Sequence, residues 1–133
     1  MYILPKGYRG LVLVIYNQQS GKPAKYIDGK RVFEIPGDGI LKTQFSPNRD
    51  WHRPDTYFYV ENGKMIEIPY IEHRDLKGDP IHVCCFSSGK ADKRPNDNSI
   101  DYDEFYVGTK SEIEKAMEKA HKMKIADLIE PPK

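Results

Sequence analysis

The sequence predicts a mainly β domain, an antiparallel sandwich that carries one C-terminal amphipathic α-helix. Short β-branched and aromatic runs recur up to Val107, and clusters of glycine, proline, asparagine and aspartate separate them. An Asn-Gly pair, Asn62–Gly63, lies between two of these runs, which is the strongest short-range signal for a hairpin. From Thr109 onward the apolar residues recur at helical spacing instead. Because a chain of 133 residues suits one hydrophobic core, we expect a single domain over residues 1–133.

The predicted strands are short apolar runs bounded by turn formers: Leu11–Tyr16, Val32–Ile35, Ile40–Phe45, Thr56–Val60, Met65–Ile71, Ile81–Phe86 and Glu104–Val107. The first of them is continuously aliphatic, which is typical of a strand buried on both faces. We expect Val32–Ile35 and Ile40–Phe45 to be joined as neighbours by the tight turn Pro36–Gly39. Residues 46–55 and 87–98 are rich in turn formers and are predicted to be loops.

The C-terminal helix is predicted over residues 110 to about 129, ending before Pro131. Thr109 and Glu112 have the spacing of a capping box at its start. One stripe of apolar residues should pack on the sandwich, with charged residues facing water on the other side. The stripe consists of Ile113, Met117, Ala120 and Met123.

Composition excludes some partners and leaves others open. With 21 basic and 20 acidic residues the net charge is +1, so no overall positive field would attract nucleic acid. No apolar run reaches the ~18 residues of a transmembrane helix.

Cys84 and Cys85 are adjacent, and neighbours in a regular strand point to opposite faces, so we expect two thiols.

A resemblance to a known family rests on residues 5–45, from Pro-Lys-Gly-Tyr-Arg-Gly to Lys-Thr-Gln-Phe, and more weakly on Asp103–Thr109. These segments resemble a family of small bacterial domains of unknown function that often follow lipoprotein leaders. The strand, linker and Ile-Pro-x-x-Gly turn are also similar to prealbumin-like sandwiches such as carboxypeptidase regulatory domains. The resemblance implies a prealbumin-like or immunoglobulin-like sandwich and a cell-envelope or periplasmic lipoprotein trimmed of its leader. It supplies no catalytic motif, and the residues leave a cytoplasmic location open.

One candidate site is acidic. Oxygen-bearing side chains stand at alternate positions in a predicted loop, which is the layout of calcium ligands: Asp97, Ser99, Asp101 and Asp103. The glycine and the bidentate glutamate of an EF-hand are absent, so only an irregular metal site remains possible. A solvated acidic loop is the more common meaning of such a pattern.

A second group of candidates is catalytic. His52, His73 and His82, with scattered carboxylates, could form a small hydrolase, although no pair has the spacing of a local metal or catalytic motif. His82 would share a strand face with Cys84, yet thiols in the middle of a strand are usually inert.

The third candidate site is aromatic. Trp51, Tyr57 and Tyr59, with Tyr70 across the hairpin, could present rings to a sugar or a partner chain. Tyr57 and Tyr59 share one face of their strand, and the segment does not reveal whether that face is the core.

The leading hypothesis is a non-catalytic binding or assembly module without a cofactor, whose partner is a protein or a carbohydrate. The alternatives are the small hydrolase and a calcium-stabilised adhesion domain. The sequence leaves the ligand and the oligomeric state open.

Overall fold

The computed structural model describes residues 1–47, 55–91, 100–123 and 125–128. It confirms a mainly β fold with one C-terminal α-helix. The strands within these ranges are β1 (Tyr2–Pro5), β2 (Gly10–Ile15), β3 (Tyr26–Ile27), β4 (Lys30–Arg31), β5 (Phe33–Glu34), β6 (Ile40–Lys42), β7 (Tyr57–Glu61), β8 (Lys64–Glu67), β9 (Tyr70–Ile71), β10 (His82–Ala91) and β11 (Ile100–Gly108). Helix α1 spans Lys110–Ala120, and short 3-10 turns occur at His73–Asp75 and Ile125–Leu128. None of the described helices is long and apolar enough to cross a membrane.

The strands form two main sheets. One has the order β5-β1-β7-β8, the other has the order β6-β2-β11-β10-β9, and β3 and β4 form a separate small hairpin. Strand β1 runs parallel to both β5 and β7, and the pairs β2–β6 and β10–β9 are parallel as well. The expectation of wholly antiparallel sheets is therefore wrong. Alternation of apolar residues reports which face of a strand is buried, but it carries no information about the direction of the neighbouring strand.

The turn at Pro36–Gly39 connects the two sheets. Strand β5 before it lies in the four-stranded sheet, and β6 after it lies in the five-stranded sheet. The expectation that these strands are neighbours is therefore wrong, although the turn itself forms, with the Gly39 amide donating to the Pro36 carbonyl at 2.9 Å. Gly39 has a φ of 80°, and a Cβ there would lie 2.6 Å from the Leu11 carbonyl oxygen. Glycine is thus needed where the chain crosses between sheets.

The core between the sheets is largely aromatic. Tyr2 stacks on Phe33 and on Tyr57, with centroid distances of 4.8 and 5.1 Å, in the four-stranded sheet. Phe105 of the five-stranded sheet meets Tyr2 and Tyr57 edge-on, at 5.1 and 5.0 Å. The predicted strand Leu11–Tyr16 contributes Val12 and Val14, which are buried in the same core. Contacts across the layers thus hold the two sheets face to face.

Helix α1 packs on β2 and β11, on the outer face of the five-stranded sheet. The predicted capping box is confirmed, since the Thr109 amide donates to Glu112 Oε1 at 3.0 Å and the Glu112 amide donates to Thr109 Oγ1 at 3.4 Å. Ile113 is fully buried, in a cluster with Leu76, Cys84 and Tyr106. The helix is shorter than the predicted stretch to residue 129. Its apolar stripe loses cover after Ala120, and Met123 is 39% exposed, so packing no longer sustains the helix.

Candidate functional site

Of the predicted aromatic residues, Tyr57 and Tyr59 lie on β7 and Tyr70 lies on β9. Tyr57 is buried, with its ring stacked on Tyr70 at 5.9 Å. Tyr59 is half-buried and its hydroxyl donates to the Tyr8 carbonyl oxygen at 2.6 Å. Tyr57 therefore has its ring in the core, and the strand face that it shares with Tyr59 is the inner one. Trp51 lies outside the described residues.

The edge strands β8 and β9 expose three large apolar side chains. Met65 and Ile66 on β8 and Tyr70 on β9 are 44, 49 and 41% exposed, and we call them together the edge surface. Strands β8 and β9 are the outermost strands of their respective sheets. The sequence pointed to Tyr70 but not to Met65 or Ile66. Their exposure follows from the edge position of β8, which depends on the sheet order and is not encoded in the local pattern.

Two of the four acidic candidates lie in a strand and not in a loop. Asp101 and Asp103 are in β11, because β10 and β11 stay paired as far as Ala91 and Ile100. The loop predictions for residues 87–91 and for these two aspartates are therefore wrong, since glycine and charged side chains are tolerated on an exposed strand end. Asp97 and Ser99 lie outside the described residues.

The Asp103 carboxylate on β11 lies beside two hydroxyl groups. It accepts hydrogen bonds from the hydroxyls of Tyr16 and Ser88. A small cleft of about 170 Å³ lies over it, lined also by Asp101 and Lys90. Each oxygen of the carboxylate thus already has a hydroxyl donor within the fold. In the described parts of the chain, no group of three or more potential metal ligands lies together.

Burial governs the electrostatics around Asp103. Desolvation raises the pKa of the Tyr16 hydroxyl, and the charge of Asp103 raises it further. The pKa of the Asp55 carboxyl is also raised, chiefly by desolvation, with the N-terminal ammonium group opposing the shift and Asp103 adding to it. The Tyr16 hydroxyl therefore acts here as a neutral hydrogen-bond donor to Asp103.

The two cysteines form a disulfide bond with each other, so the expectation of two thiols is wrong. That expectation assumed a regular strand, in which neighbouring side chains diverge. Cys85 instead has a positive φ of 67°, and a bulge interrupts the pairing of β10 with β11 between Cys84 and Ser87. The bulge turns Cys85 to the helix side, where Cys84 already lies.

The histidines are spread over different environments. His82 is buried, and neither of its ring nitrogens has a hydrogen-bond partner among the described residues. His73 is exposed in a 3-10 turn together with Arg74 and Asp75, and His52 lies outside the described residues. The small hydrolase assembled from them stays a prediction, to which the described geometry adds no paired acid and base.

Comparisons with known proteins show a family and a similar fold, and they assign no activity. No curated protein matches the chain. A crystal structure described as a "Putative Lipoprotein from Bacillus anthracis" aligns with a TM-score of 0.59 and 20% sequence identity, over 80% of this chain and 67% of that chain. At this identity the likeness shows the fold alone. A family model, described as a family of unknown function (DUF6843), matches residues 1–117. The chain therefore belongs to the DUF6843 family.

Proposed function

We propose that the chain is a non-catalytic binding module of the bacterial cell envelope and that it binds a protein partner through the edge surface. One observation carries this proposal. Six large apolar side chains are exposed on the described residues, and three of them, Met65, Ile66 and Tyr70, fall within one short stretch of β8 and β9. Met65 and Ile66 are neighbours in β8 and so point to opposite faces, which leaves apolar side chains exposed on both faces of this edge strand. An exposed edge strand that carries apolar side chains is a template for pairing with another chain.

The backbone of β8 can pair with an extended partner segment. In an antiparallel pair, successive residues direct their amide and carbonyl groups alternately toward the paired strand and away from it. The Ile68 amide donates to the Tyr57 carbonyl at 2.8 Å. The backbone amide and carbonyl of Ile66, two residues earlier, therefore also point toward β7. Those of Met65 and Glu67 point to the open side of β8. Such an edge can accept an added strand.

Charge would set the orientation of that strand. Lys64 and Glu67 place opposite charges at the two ends of β8. Since opposite charges on facing residues of neighbouring strands stabilise pairing, a segment with an acidic residue near Lys64 and a basic residue near Glu67 is favoured over the reverse. The proposed partner is thus an extended polypeptide with apolar side chains between two opposite charges.

The envelope location rests on two kinds of support. The similar crystal structure is described as a "Putative Lipoprotein". Disulfide bonds persist mainly in oxidising compartments, and the Cys84–Cys85 bond fits such a location. The prealbumin-like relationship belongs to the same proposal: two facing sheets around an aromatic core favour it, and the parallel pairings of β1 depart from it.

Selection of peptides would test the binding role. Panning a phage-displayed library of random dodecapeptides on the purified chain should enrich sequences that alternate apolar residues between opposite charges. Ile66→Lys should weaken their binding by about tenfold or more, since a charge would replace an apolar contact that the bound peptide buries. The matched control is Ile27→Lys, which makes the same change at another exposed isoleucine, 40% exposed on β3, and should leave binding unchanged.

Two outcomes would contradict the proposal. Enriched peptides that bind Ile66→Lys as tightly as the parent would place the contact elsewhere. Binding to a glycan array with loss on Tyr70→Ala, without any enriched peptide, would replace the protein partner with a carbohydrate stacked on the tyrosine ring.

A further inference from the structure

We propose that the Cys84–Cys85 disulfide is a reversible redox modification site, and that its reduction by a dithiol releases β10 from the bulged conformation that it adopts beneath α1. It does not rest on the proposed binding at the edge surface. Cys84 is fully buried, in a cluster with Ile113 of α1 and with Tyr106, and Cys85 is half-buried against the same cluster. The bond thus lies directly between the helix and the sheet that supports it.

The bond and the bulge form one local structure. Cys84 pairs with Tyr106 and Ser87 with Glu104, so β10 contains one residue more than β11 over this interval. Cys85 occupies the left-handed region, which residues with a Cβ disfavour, and the covalent link to Cys84 holds it there. When that link is broken, no covalent bond retains this conformation.

The bulge also determines which side chain enters the core. With Val83 facing the core, regular alternation would place Cys85 there next. Because of the bulge, Phe86 packs against the core instead and stacks on Phe105 at 6.3 Å. A change at the disulfide is therefore transmitted both to α1 on one side of the sheet and to the aromatic core on the other.

Accessibility defines the order of the reduction steps. A thiolate of the dithiol attacks Sγ of the half-buried Cys85, since Cys84 is fully buried. The bond between the two cysteines breaks, and the sulfur of Cys84 leaves as a thiolate and takes up a proton. The second thiol of the reductant then closes on its own mixed disulfide and releases Cys85. Two electrons and two protons pass from the dithiol to the protein, and the dithiol becomes a disulfide.

His82 gives the reduced state a partner that the oxidised state lacks. His82 and Cys84 are two residues apart in β10 and on the same face, and the buried imidazole has no hydrogen-bond partner among the described residues. A disulfide sulfur has no proton to donate, whereas the thiol of reduced Cys84 can donate to a ring nitrogen. Reduction thereby satisfies a buried polar group.

The full chain with and without dithiothreitol tests the proposal. The oxidised protein should take up no iodoacetamide under native conditions, and the reduced protein should take up two. Amide exchange of residues 83–87 should accelerate by about tenfold or more, the melting temperature should fall, and reoxidation should restore both. The control is the variant carrying Cys84→Ala and Cys85→Ala, in which dithiothreitol should change neither quantity.

Three results would contradict the proposal that the disulfide is a redox site controlling β10. Thiols that react without a reductant would show that the bond is absent. A bond that dithiothreitol reduces only in denaturant would be a static cross-link. Reduced and oxidised chains with equal amide exchange and melting temperature would show that the bond does not control β10.

A separate variant tests the assignment of His82. In glutathione buffers, His82→Leu should shift the equilibrium toward the disulfide by roughly fivefold, as expected for the loss of one hydrogen bond in the reduced state. A variant with the equilibrium constant of the parent would contradict the pairing of His82 with Cys84.

Discussion

Backbone conformation at single residues determines where the edge surface lies. Asn62 and Gly63 have φ values of 52° and 76°, which are the two positive angles that a type I′ turn requires. They join β7 to β8 in a register that pairs Glu61 with Lys64 and Val60 with Met65. The turn thereby fixes which residues of β8 face outward.

Gly63→Val should lower the free energy of unfolding by about 1 kcal/mol or more, because a β-branched residue is disfavoured at positive φ. A Cβ at Gly63 would meet no atom within 4 Å, so the loss would come from the backbone alone. Gly37→Val is the matched control, since Gly37 is equally open and has no positive φ. Equal losses in chemical denaturation would show that the turn conformation is not the cause.

For single residues, the sequence predicts the backbone conformation where the residue type itself favours that conformation. Asn-Gly is such a pair, and the predicted hairpin is confirmed. Cys85 is the opposite case: a cysteine has no intrinsic preference for the left-handed region, so the bulge and the disulfide could not be predicted from it. Both depend on the pairing of β10 with β11.

At the scale of elements, α1 depends on a narrow contact. Ile113 is fully buried between the helix and the five-stranded sheet, while Ala116, Met117 and Ala120 are half-buried around it. A helix as short as α1 is marginal in isolation, so this contact must stabilise it.

Ile113→Ala should therefore lower the free energy of unfolding by about 2–4 kcal/mol, through lost burial and the cavity that remains. Glu118→Ala, on the exposed side of the same helix, should change it by no more than about 0.5 kcal/mol. Thermal melts of both variants would measure the difference. If Ile113→Ala melted like the parent, α1 would not be docked on the sheet.

The spacing of apolar residues predicts some features of the helix and the strands but not others. The capping box and the apolar stripe predicted the start and the inward face of α1, because both signals are local. The end of α1 depends on where the sheet stops covering it, and Met123 lies beyond that point. The parallel pairings of β1 likewise depend on distant partners.

At the scale of the whole molecule, buried tyrosines couple stability to alkaline pH. Desolvation raises the pKa values of Tyr2, Tyr16 and Tyr57 above 10.0. Above pH ~10 these tyrosines lose protons in the unfolded chain but keep them in the fold, so stability must decrease as the pH rises. Below that pH the hydroxyls are protonated in both states and have no such effect.

Chemical denaturation at several pH values from 9 to about 11 would measure this dependence. Tyr16→Phe should reduce the slope above pH 10 by up to about 1.4 kcal/mol per pH unit, because one titrating group is removed. The variant should also be less stable at neutral pH, where Tyr16 donates to Asp103. A slope equal to that of the parent would show that Tyr16 ionises freely in the fold.

The whole-molecule account depends on the open side of β8, and amide exchange at single residues tests it most directly. In the free chain, the amides of Ile66 and Ile68 should be protected by β7, while those of Met65 and Glu67 should exchange rapidly. When an enriched peptide binds, Met65 and Glu67 should become protected and the other two amides should change little. Protection of Met65 and Glu67 in the free chain, or rapid exchange at both in the complex, would contradict binding by strand addition.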